Sequence, residues 1–171
     1  ERLQDRTDLQ LIILPDELRK EDHARREALH EADIAFLCLP DAAAVQAVQL
    51  AEGSKVAIID TSTAHRTAEG WVYGFAELPG KRQALAGAKR VANPGCHASG
   101  FVALVEPLVR EGLIAADLGL QSFSLTGYSG GGKGMIADYE SEGRNPLLAA
   151  PRQYGLIQQH KHLKEMVKLC G

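Results

Sequence analysis

Cys96 has the chemistry of a nucleophile and stands where a nucleophile would be useful. It follows Asn-Pro-Gly directly in the stretch VANPGCHASGF (91–101) and precedes apolar residues at helical spacing. We therefore expect Cys96 at the N-terminus of a helix, where unpaired backbone N–H groups and the positive end of the helix dipole stabilise an anion such as a thiolate. The alternative is a small residue packed in the core, because free cysteines are often buried.

Two histidines near the end of the chain, His160 and His162, could move the proton that such chemistry requires. A cysteine and a distant histidine are the minimum set for covalent acyl chemistry, in which the thiolate attacks a carbonyl. Alternating residues of an extended segment point to opposite faces, so we expect only one of the two to reach Cys96. Arg66 adds a fixed positive charge suited to a carboxylate or a phosphate.

The elements that would position these residues alternate between strands and helices. Buried strands are predicted from three apolar runs: 9–14, 34–40 and 55–62. Helices are predicted between them at 16–32 and at 41–52, the second opened by Asp41 as N-cap. This order predicts an α/β fold with a doubly wound parallel sheet and ligand groups at the carboxyl ends of its strands.

A dinucleotide-binding sheet of this kind should open with a strand and a GxGxxG-like turn. No such turn precedes residues 9–14, and residues 1–7 resemble the helix that would follow it. We therefore expect an N-terminally truncated Rossmann-like unit, and a chain that is a fragment of a longer protein.

The second half of the chain has a different pattern. A helix is predicted at about 96–112, a strand at 120–127 and a short helical piece at 135–142. The glycine-rich segment 126–134 is either a flexible linker or a loop whose backbone approaches a ligand. We expect two parts: a nucleotide-binding domain over 1–95 and the incomplete start of an α+β catalytic and dimerisation domain over 96–171.

Composition excludes several function classes. The net charge of −3, the pI near 6.1 and the scattered basic residues argue against nucleic-acid binding. No apolar run approaches the roughly 18 residues that cross a bilayer. The N-terminus ERLQDRTD is charged and lacks the apolar core of a signal peptide, so a cytoplasmic location is expected. The three cysteines are widely spaced without a CxxC pair, which predicts reduced thiols and no metal site.

Several motifs together resemble one enzyme family. They are NPGCHASGF, STAHR (62–66), WVYGFAEL (71–78), TGYSGGGKGMIADYE (126–140) and HKHLKEM (160–166). Over nearly the whole chain they are similar to the shorter sequence type of the N-acetyl-gamma-glutamyl-phosphate reductase family, in the aspartate-semialdehyde dehydrogenase superfamily. Ala76 and Lys164 stand where the family commonly has proline, which alters backbone stiffness and removes no reacting group.

The resemblance implies a defined reaction. Cys96 would attack the acyl phosphate of N-acetyl-glutamyl phosphate, NADPH would reduce the resulting thioester, and N-acetyl-glutamate semialdehyde would leave, in arginine biosynthesis. His160 would be the acid/base. Family members are homo-oligomers, so a dimer or tetramer is expected.

The resemblance also assigns binding residues. Those expected at the substrate are Ser62, Thr63, Arg66, Lys133 and His162. Those expected at the cofactor NADP are Leu39, Pro40, Ser129 and Gly130. Arg19 and Lys20 could meet a 2′-phosphate, but the favoured interpretation is that they are surface charges at the start of a charged helix.

Two other interpretations remain open from the sequence. One is a sister reductase of an aminoadipyl or aspartyl phosphate, because one methylene in a pocket changes discrimination by only about 10- to 200-fold. The other is a non-catalytic domain that keeps the fold.

Overall fold

The computed structural model describes residues 3–153 and 156–171, which divide into two compact units, with the boundary in the sequence between Ser99 and Gly100. The first unit holds four strands: β1 (Ile34–Leu37), β2 (Ala57–Asp60), β3 (Val72–Tyr73) and β4 (Arg90–Ala92). They form one sheet in the order β1-β2-β4-β3 with every neighbouring pair parallel. The α/β parallel sheet predicted from the sequence is thus confirmed.

Three helices accompany this sheet: α1 (Asp22–Glu31), α2 (Asp41–Leu50) and α3 (Lys81–Ala86). Its core joins the ends of β1 and β2 to α1 and α2 through the side chains Leu29, Leu37, Ala47, Ala51, Val56 and Ile58. Ile58 is fully buried, and burying one such side chain contributes roughly 1.5–3 kcal/mol. This packing fixes the carboxyl ends of β1 and β2, where polar residues follow.

The prediction of a strand at 9–14 is wrong. These residues have no regular structure, and Ile13 is 62% exposed. A strand persists only when a neighbour accepts its backbone hydrogen bonds, and 9–14 pairs with none of the four described strands. On β1, an edge strand of this sheet, Ile34 and Phe36 are also more than half exposed.

Two helix predictions also need correction. Residues 3–7 form turns rather than a helix, and residues 1 and 2 lie outside the described part. The helix predicted over 16–32 begins only at Asp22. Asp41 is the first residue of α2 and not its N-cap, a position held by Pro40, because the Asp41 carboxylate is bonded to a neighbouring loop instead.

The second unit contains helices rather than strands in its described residues. The helix α4 (Cys96–Arg110) begins in the first unit and continues into the second, confirming the predicted helix there. Then follow α5 (Gly132–Glu140) and α6 (Leu163–Cys170), with 3-10 turns at Tyr128–Gly131 and Pro146–Ala149.

The strand predicted at 120–127 is wrong as well. The segment is irregular and exposed, with Phe123 and Leu125 each 89% exposed, and it pairs with no described strand. Apolar and β-branched content alone does not make a strand without a partner. Across the described residues, no helix has the length and hydrophobicity to cross a membrane.

Candidate active site

Cys96 is the first residue of α4 and its side chain is exposed. The turn Asn93-Pro94-Gly95 leads into it from the end of β4. Ser99 closes the first helical turn, because its N–H and Oγ both donate to the Gly95 carbonyl, at 2.8 and 2.9 Å. The structure therefore has the Cys96 thiol at a helix N-terminus, as predicted.

The turn before Cys96 is held through both polar backbone groups of Asn93. Its N–H donates to the carbonyl of Asp60 at 2.7 Å, which extends the pairing of β2 with β4 by one residue. Its carbonyl accepts a 2.9 Å hydrogen bond from Nε of Arg66. The peptide that leads to Cys96 is thus fixed by two residues from the end of β2 and the loop after it.

Gly74 lets the loop after β3 approach this turn closely. Its N–H donates to the Ala92 carbonyl at 2.8 Å. A Cβ at Gly74 would stand 3.1 Å from the Ala92 oxygen and 3.3 Å from Cδ of Pro94. Any side chain here would press on the peptide immediately before the turn.

A buried polar cluster lies at the carboxyl end of β2. Asp60 is fully buried, and its carboxylate accepts from the Ser62 N–H at 3.0 Å and the Ser62 Oγ at 2.7 Å. Nδ1 of His65 lies 2.6 Å from the same carboxylate, and the His65 ring stacks on Trp71 with centroids 4.1 Å apart. A buried carboxylate is stable only with such partners, so this cluster fixes the loop after β2.

Serine, histidine and aspartate occur together here, yet they do not form a hydrolytic triad. In a triad the histidine bridges the serine and the carboxylate. Here Ser62 and His65 both bond to Oδ2 of Asp60, so the carboxylate bridges the other two side chains. The arrangement can position a loop and leaves Ser62 without a base.

The remaining residues of 62–66 also bond to the protein. The N–H of Thr63 donates to the Asp41 carboxylate at 2.8 Å, and its Oγ1 donates to the same group. Arg66 donates from Nη2 to the Thr61 carbonyl at 3.0 Å. Ser62, Thr63 and Arg66, predicted at the substrate, therefore lie together beside the Cys96 turn, with their polar groups also serving the fold.

An open cleft of about 640 Å³ lies beyond the carboxyl end of β1. It is lined by Arg19, Lys20 and Leu39, among others. Lys20 has no hydrogen bond or ion pair with any described residue, whereas Arg19 is paired with Asp16 at 2.8 Å. Leu39 and Ala43 form an apolar wall, and the acidic Glu21 and Asp22 line the cleft together with the cationic groups. Pro40 lies next to this wall as the N-cap of α2.

The glycine-rich segment of the second unit is exposed. Ser129 and Gly130 lie in the 3-10 turn, and Lys133 is the second residue of α5. Tyr128 braces the turn: it stacks on Tyr139 and donates to the Glu140 carboxylate at 2.9 Å. That hydrogen bond and the negative charge of Glu140 raise the pKa of Tyr128.

The two candidate acid/base histidines contact each other in the second unit. Their rings meet edge to face with centroids 4.5 Å apart, and Nδ1 of His160 accepts from the His162 N–H at 3.2 Å. This bond leaves the proton of a neutral His160 ring on Nε2. His162 is 4% exposed and lies 4.0 Å from the carboxylate of Glu165, itself 2% exposed.

The other two cysteines have different surroundings. Cys38 follows β1 and is exposed, which corrects the expectation that the strand buries it. Cys170 is buried at the end of α6, and desolvation followed by the charge of Glu106 raises the pKa of its thiol. Within the described ranges, no three His, Cys, Asp or Glu side chains are grouped as a metal site.

From the sequence, no role was assigned to Asp60, and none to His65, Trp71 or Gly74 within the motifs STAHR and WVYGFAEL. A signal for Asp60 was present, because an aspartate two residues before a serine at a strand end favours an Asx turn, the bond now seen to the Ser62 N–H. The contacts of His65 with Trp71 and of Gly74 with Pro94 join separate segments of the chain, so no local sequence pattern predicts them.

Comparison with known proteins gives two family matches. Residues 7–88 match the semialdehyde dehydrogenase NAD-binding domain, and residues 96–171 match the semialdehyde dehydrogenase dimerisation domain. These matches support a nicotinamide cofactor and a homo-oligomer. No solved structure matched the chain.

Several curated relatives are N-acetyl-gamma-glutamyl-phosphate reductases. N-acetyl-gamma-glutamyl-phosphate reductase of Mesorhizobium japonicum is 50% identical over 96% of this chain and 53% of its own length. The enzymes of Burkholderia ambifaria and Trichormus variabilis are 48% and 45% identical over 100% and 99% of this chain, each over 54% of the relative. The chain spans about half the length of the curated relatives it matches.

The parallel sheet, the thiol at the start of α4 and the two successive domain matches agree with one another. The chain belongs to the semialdehyde dehydrogenase family, and its similarity is to the N-acetyl-gamma-glutamyl-phosphate reductases.

Proposed function

We propose that this chain is part of an enzyme that reduces N-acetyl-glutamyl 5-phosphate to N-acetyl-glutamate 5-semialdehyde, with release of phosphate, in arginine biosynthesis. The observation that carries the proposal is the exposed Cys96 at the start of α4, on a turn held from β2 and from Arg66. The names of the relatives support the choice of substrate. We further propose that residues 1–95 form the nucleotide-binding domain and that 96–171 belong to the catalytic and dimerisation domain.

Cys96 is the nucleophile. Its Sγ attacks the acyl carbon, the bond from that carbon to the phosphate oxygen breaks, and phosphate leaves from a thioester at Cys96. When bound, NADPH supplies the hydride that reduces the thioester carbonyl. Hydride addition leaves an oxyanion, to which a protonated histidine gives its proton to form the hemithioacetal. As the hemithioacetal collapses, the same histidine takes this proton back, the C–S bond breaks, and the aldehyde leaves from the Cys96 thiolate.

His160 is the acid/base in this proposal. Its Nδ1 accepts a backbone N–H, which orients the ring and places the transferable proton on Nε2. His162 is the competing candidate, because a carboxylate partner such as Glu165 commonly orients a general base. In our proposal His162 instead contacts the substrate.

Arg66 binds the carboxylate or phosphate of the substrate, beside Ser62 and Thr63. Two of its five N–H donors are already held by the carbonyls of Asn93 and Thr61, so the plane of its guanidinium is fixed. A fixed plane suits bidentate recognition of a planar anion. Lys133 adds a second positive charge from the glycine-rich segment.

The cofactor is NADP rather than NAD. The cleft beyond β1 supports this choice, because Arg19 and Lys20 could receive a 2′-phosphate while Leu39 and Pro40 lie against the dinucleotide. Ser129 and Gly130 complete the cofactor contacts. A reduced thiol and NADPH are both maintained in the cytoplasm, where we place the reaction, in a dimer or tetramer.

The test uses a polypeptide of the relatives' length that contains this chain, here called the full-length enzyme. Reduction is followed by NADPH absorbance with N-acetyl-glutamyl, aminoadipyl and aspartyl phosphates. We expect the first to have the highest kcat/KM. Cys96→Ser should lower kcat at least about 10³-fold, as loss of a nucleophile does in other enzymes, and Cys38→Ser should not change it. Full activity of Cys96→Ser would overturn the mechanism.

A second pair of variants decides between the histidines. His160→Asn should lower kcat by at least about 10²-fold through loss of proton transfer, while His162→Asn should act mainly on KM. The reverse pattern would assign the acid/base to His162 with Glu165.

A further inference from the structure

We propose that Asp60 and His65 are positioning residues for the reaction at Cys96: they fix the loop after β2, and that loop holds the turn from which the thiol enters α4. The inference rests on the proposed function for its kinetic consequence. Neither residue needs to touch substrate or cofactor for this role.

The first step of the argument is the burial of the Asp60 carboxylate. It is fully buried and accepts from both Ser62 donors and from His65, so each of its oxygens is used inside the protein. His65 is 8% exposed, and Trp71 stacks on its ring at an interplanar angle of 15°. Such a cluster gives the loop a single conformation, because any other would leave buried donors or acceptors unpaired.

The second step connects this loop to the cysteine. Arg66 follows His65 directly, and its Nε donates to the Asn93 carbonyl. The Asn93 N–H is bonded to the main-chain carbonyl of Asp60 itself. A shift of the loop therefore moves the Arg66 guanidinium, one of the two groups that hold the peptide three residues before Cys96.

The third step is the geometric demand of the reaction. Acyl transfer needs the sulfur within near-attack distance of the carbonyl, and a displacement of about 1 Å can lower the rate by roughly 100-fold. Arg66, which we place at the substrate, belongs to the same connected set. Asp60 and His65 thus align the nucleophile with the group that binds its substrate.

The experiment compares three substitutions of His65. Asparagine can place an amide N–H where Nδ1 donates to Asp60, glutamine places its amide further out, near the position of Nε2, and alanine removes the donor. His30→Ala is the matched control, since it removes a histidine of the same unit whose Nε2 contacts the Leu50 carbonyl at 3.2 Å, on another element.

Two readouts are measured. In the full-length enzyme, His65→Ala should lower kcat by roughly 10- to 100-fold with KM within about threefold, and His65→Asn should recover most of the loss. In the 171-residue chain, iodoacetamide labelling of Cys96 relative to Cys38, quantified by peptide mass spectrometry, should fall in His65→Ala and recover in His65→Asn. His30→Ala should leave both unchanged.

Several results would overturn the proposal. They are an unchanged kcat in His65→Ala, a rise in the KM of His65→Ala without a fall in its kcat, or an equal fall in kcat in His65→Ala and His30→Ala. If His65→Ala does not fold, as judged by circular dichroism, the asparagine and glutamine variants decide, and equal kcat in these two contradicts the role of the Nδ1 bond. If the wild-type enzyme reduces none of the acyl phosphates, the proposed function fails, and the labelling ratio alone tests the positioning.

Discussion

The segments 62–66 and 126–134 both carry polar residues that the sequence assigns to ligand binding, yet the fold uses them differently. In 62–66 the side chains of Ser62, Thr63 and His65 bond to two carboxylates of the protein. In 126–134 every residue is exposed, and the Lys133 side chain has no hydrogen bond or ion pair with a described residue. Polar residues of a loop can therefore build a site in two ways, by fixing its framework or by presenting groups to the ligand.

The difference lies in burial. A buried polar side chain must bond to the protein, because an unsatisfied group costs about 1–3 kcal/mol. An exposed one can exchange water for a ligand at little cost. Arg66 combines the two roles in our proposal, because its guanidinium donates to the carbonyls of Asn93 and Thr61 and also carries the charge proposed to bind the substrate. The predictions below test this division between framework and presentation.

The largest effect should come from Asp60→Ala. It leaves the donors of Ser62 and His65 without their acceptor inside the protein, and we expect the free energy of unfolding to fall by about 3 kcal/mol. Urea unfolding of the chain measures this. Asp33→Ala is the control, because Asp33 is 87% exposed in its ion pair with Lys55 and should cost less than about 1 kcal/mol. If Asp60→Ala and Asp33→Ala lower the free energy of unfolding equally, the Asp60 cluster does not fix the loop after β2.

A smaller effect, and on binding alone, is expected from Lys133→Ala. Loss of one charge-assisted contact should raise KM for the acyl phosphate about tenfold in the full-length enzyme. The free energy of unfolding should change by less than about 0.5 kcal/mol, because the side chain is exposed. Lys89→Ala removes a similarly exposed lysine of the first unit and should leave KM unchanged. An unchanged KM in Lys133→Ala would remove this residue from the site.

The smallest effect should come from Thr63→Val, which keeps the backbone bond to Asp41 and loses the hydroxyl bond. We expect the free energy of unfolding to fall by about 1 kcal/mol, measured by urea unfolding. KM should change little, since this hydroxyl serves the fold. A large rise in KM with unchanged stability would instead place the Thr63 hydroxyl on the substrate and make 62–66 resemble 126–134.

The sequence predicts much of the fold, and its failures have one physical cause. Periodicity and turn residues located α2, α4, β1 and β2, because each is specified by its own apolar pattern and its end signals. The runs at 9–14 and 120–127 have similar apolar content and form no strand, since a strand also depends on the neighbour that pairs with it. Local patterns carry no information about that neighbour.

The candidate site divides in the same way. The position of Cys96 followed from Pro94 and Gly95 beside it, a purely local signal. The partners of His65 and Arg66 did not follow, because Trp71 and Asn93 lie next to the strands β3 and β4 and are brought close only by the order of the strands.

The most direct test of the central claim is to trap the acyl-enzyme. A full-length enzyme shown to be active is mixed with N-acetyl-glutamyl phosphate without NADPH, quenched in acid and mapped by peptide mass spectrometry. We predict an acyl adduct on Cys96 that neutral hydroxylamine removes, and none on the exposed Cys38 or the buried Cys170. An active enzyme that forms no adduct, or one on a residue other than Cys96, would contradict the account.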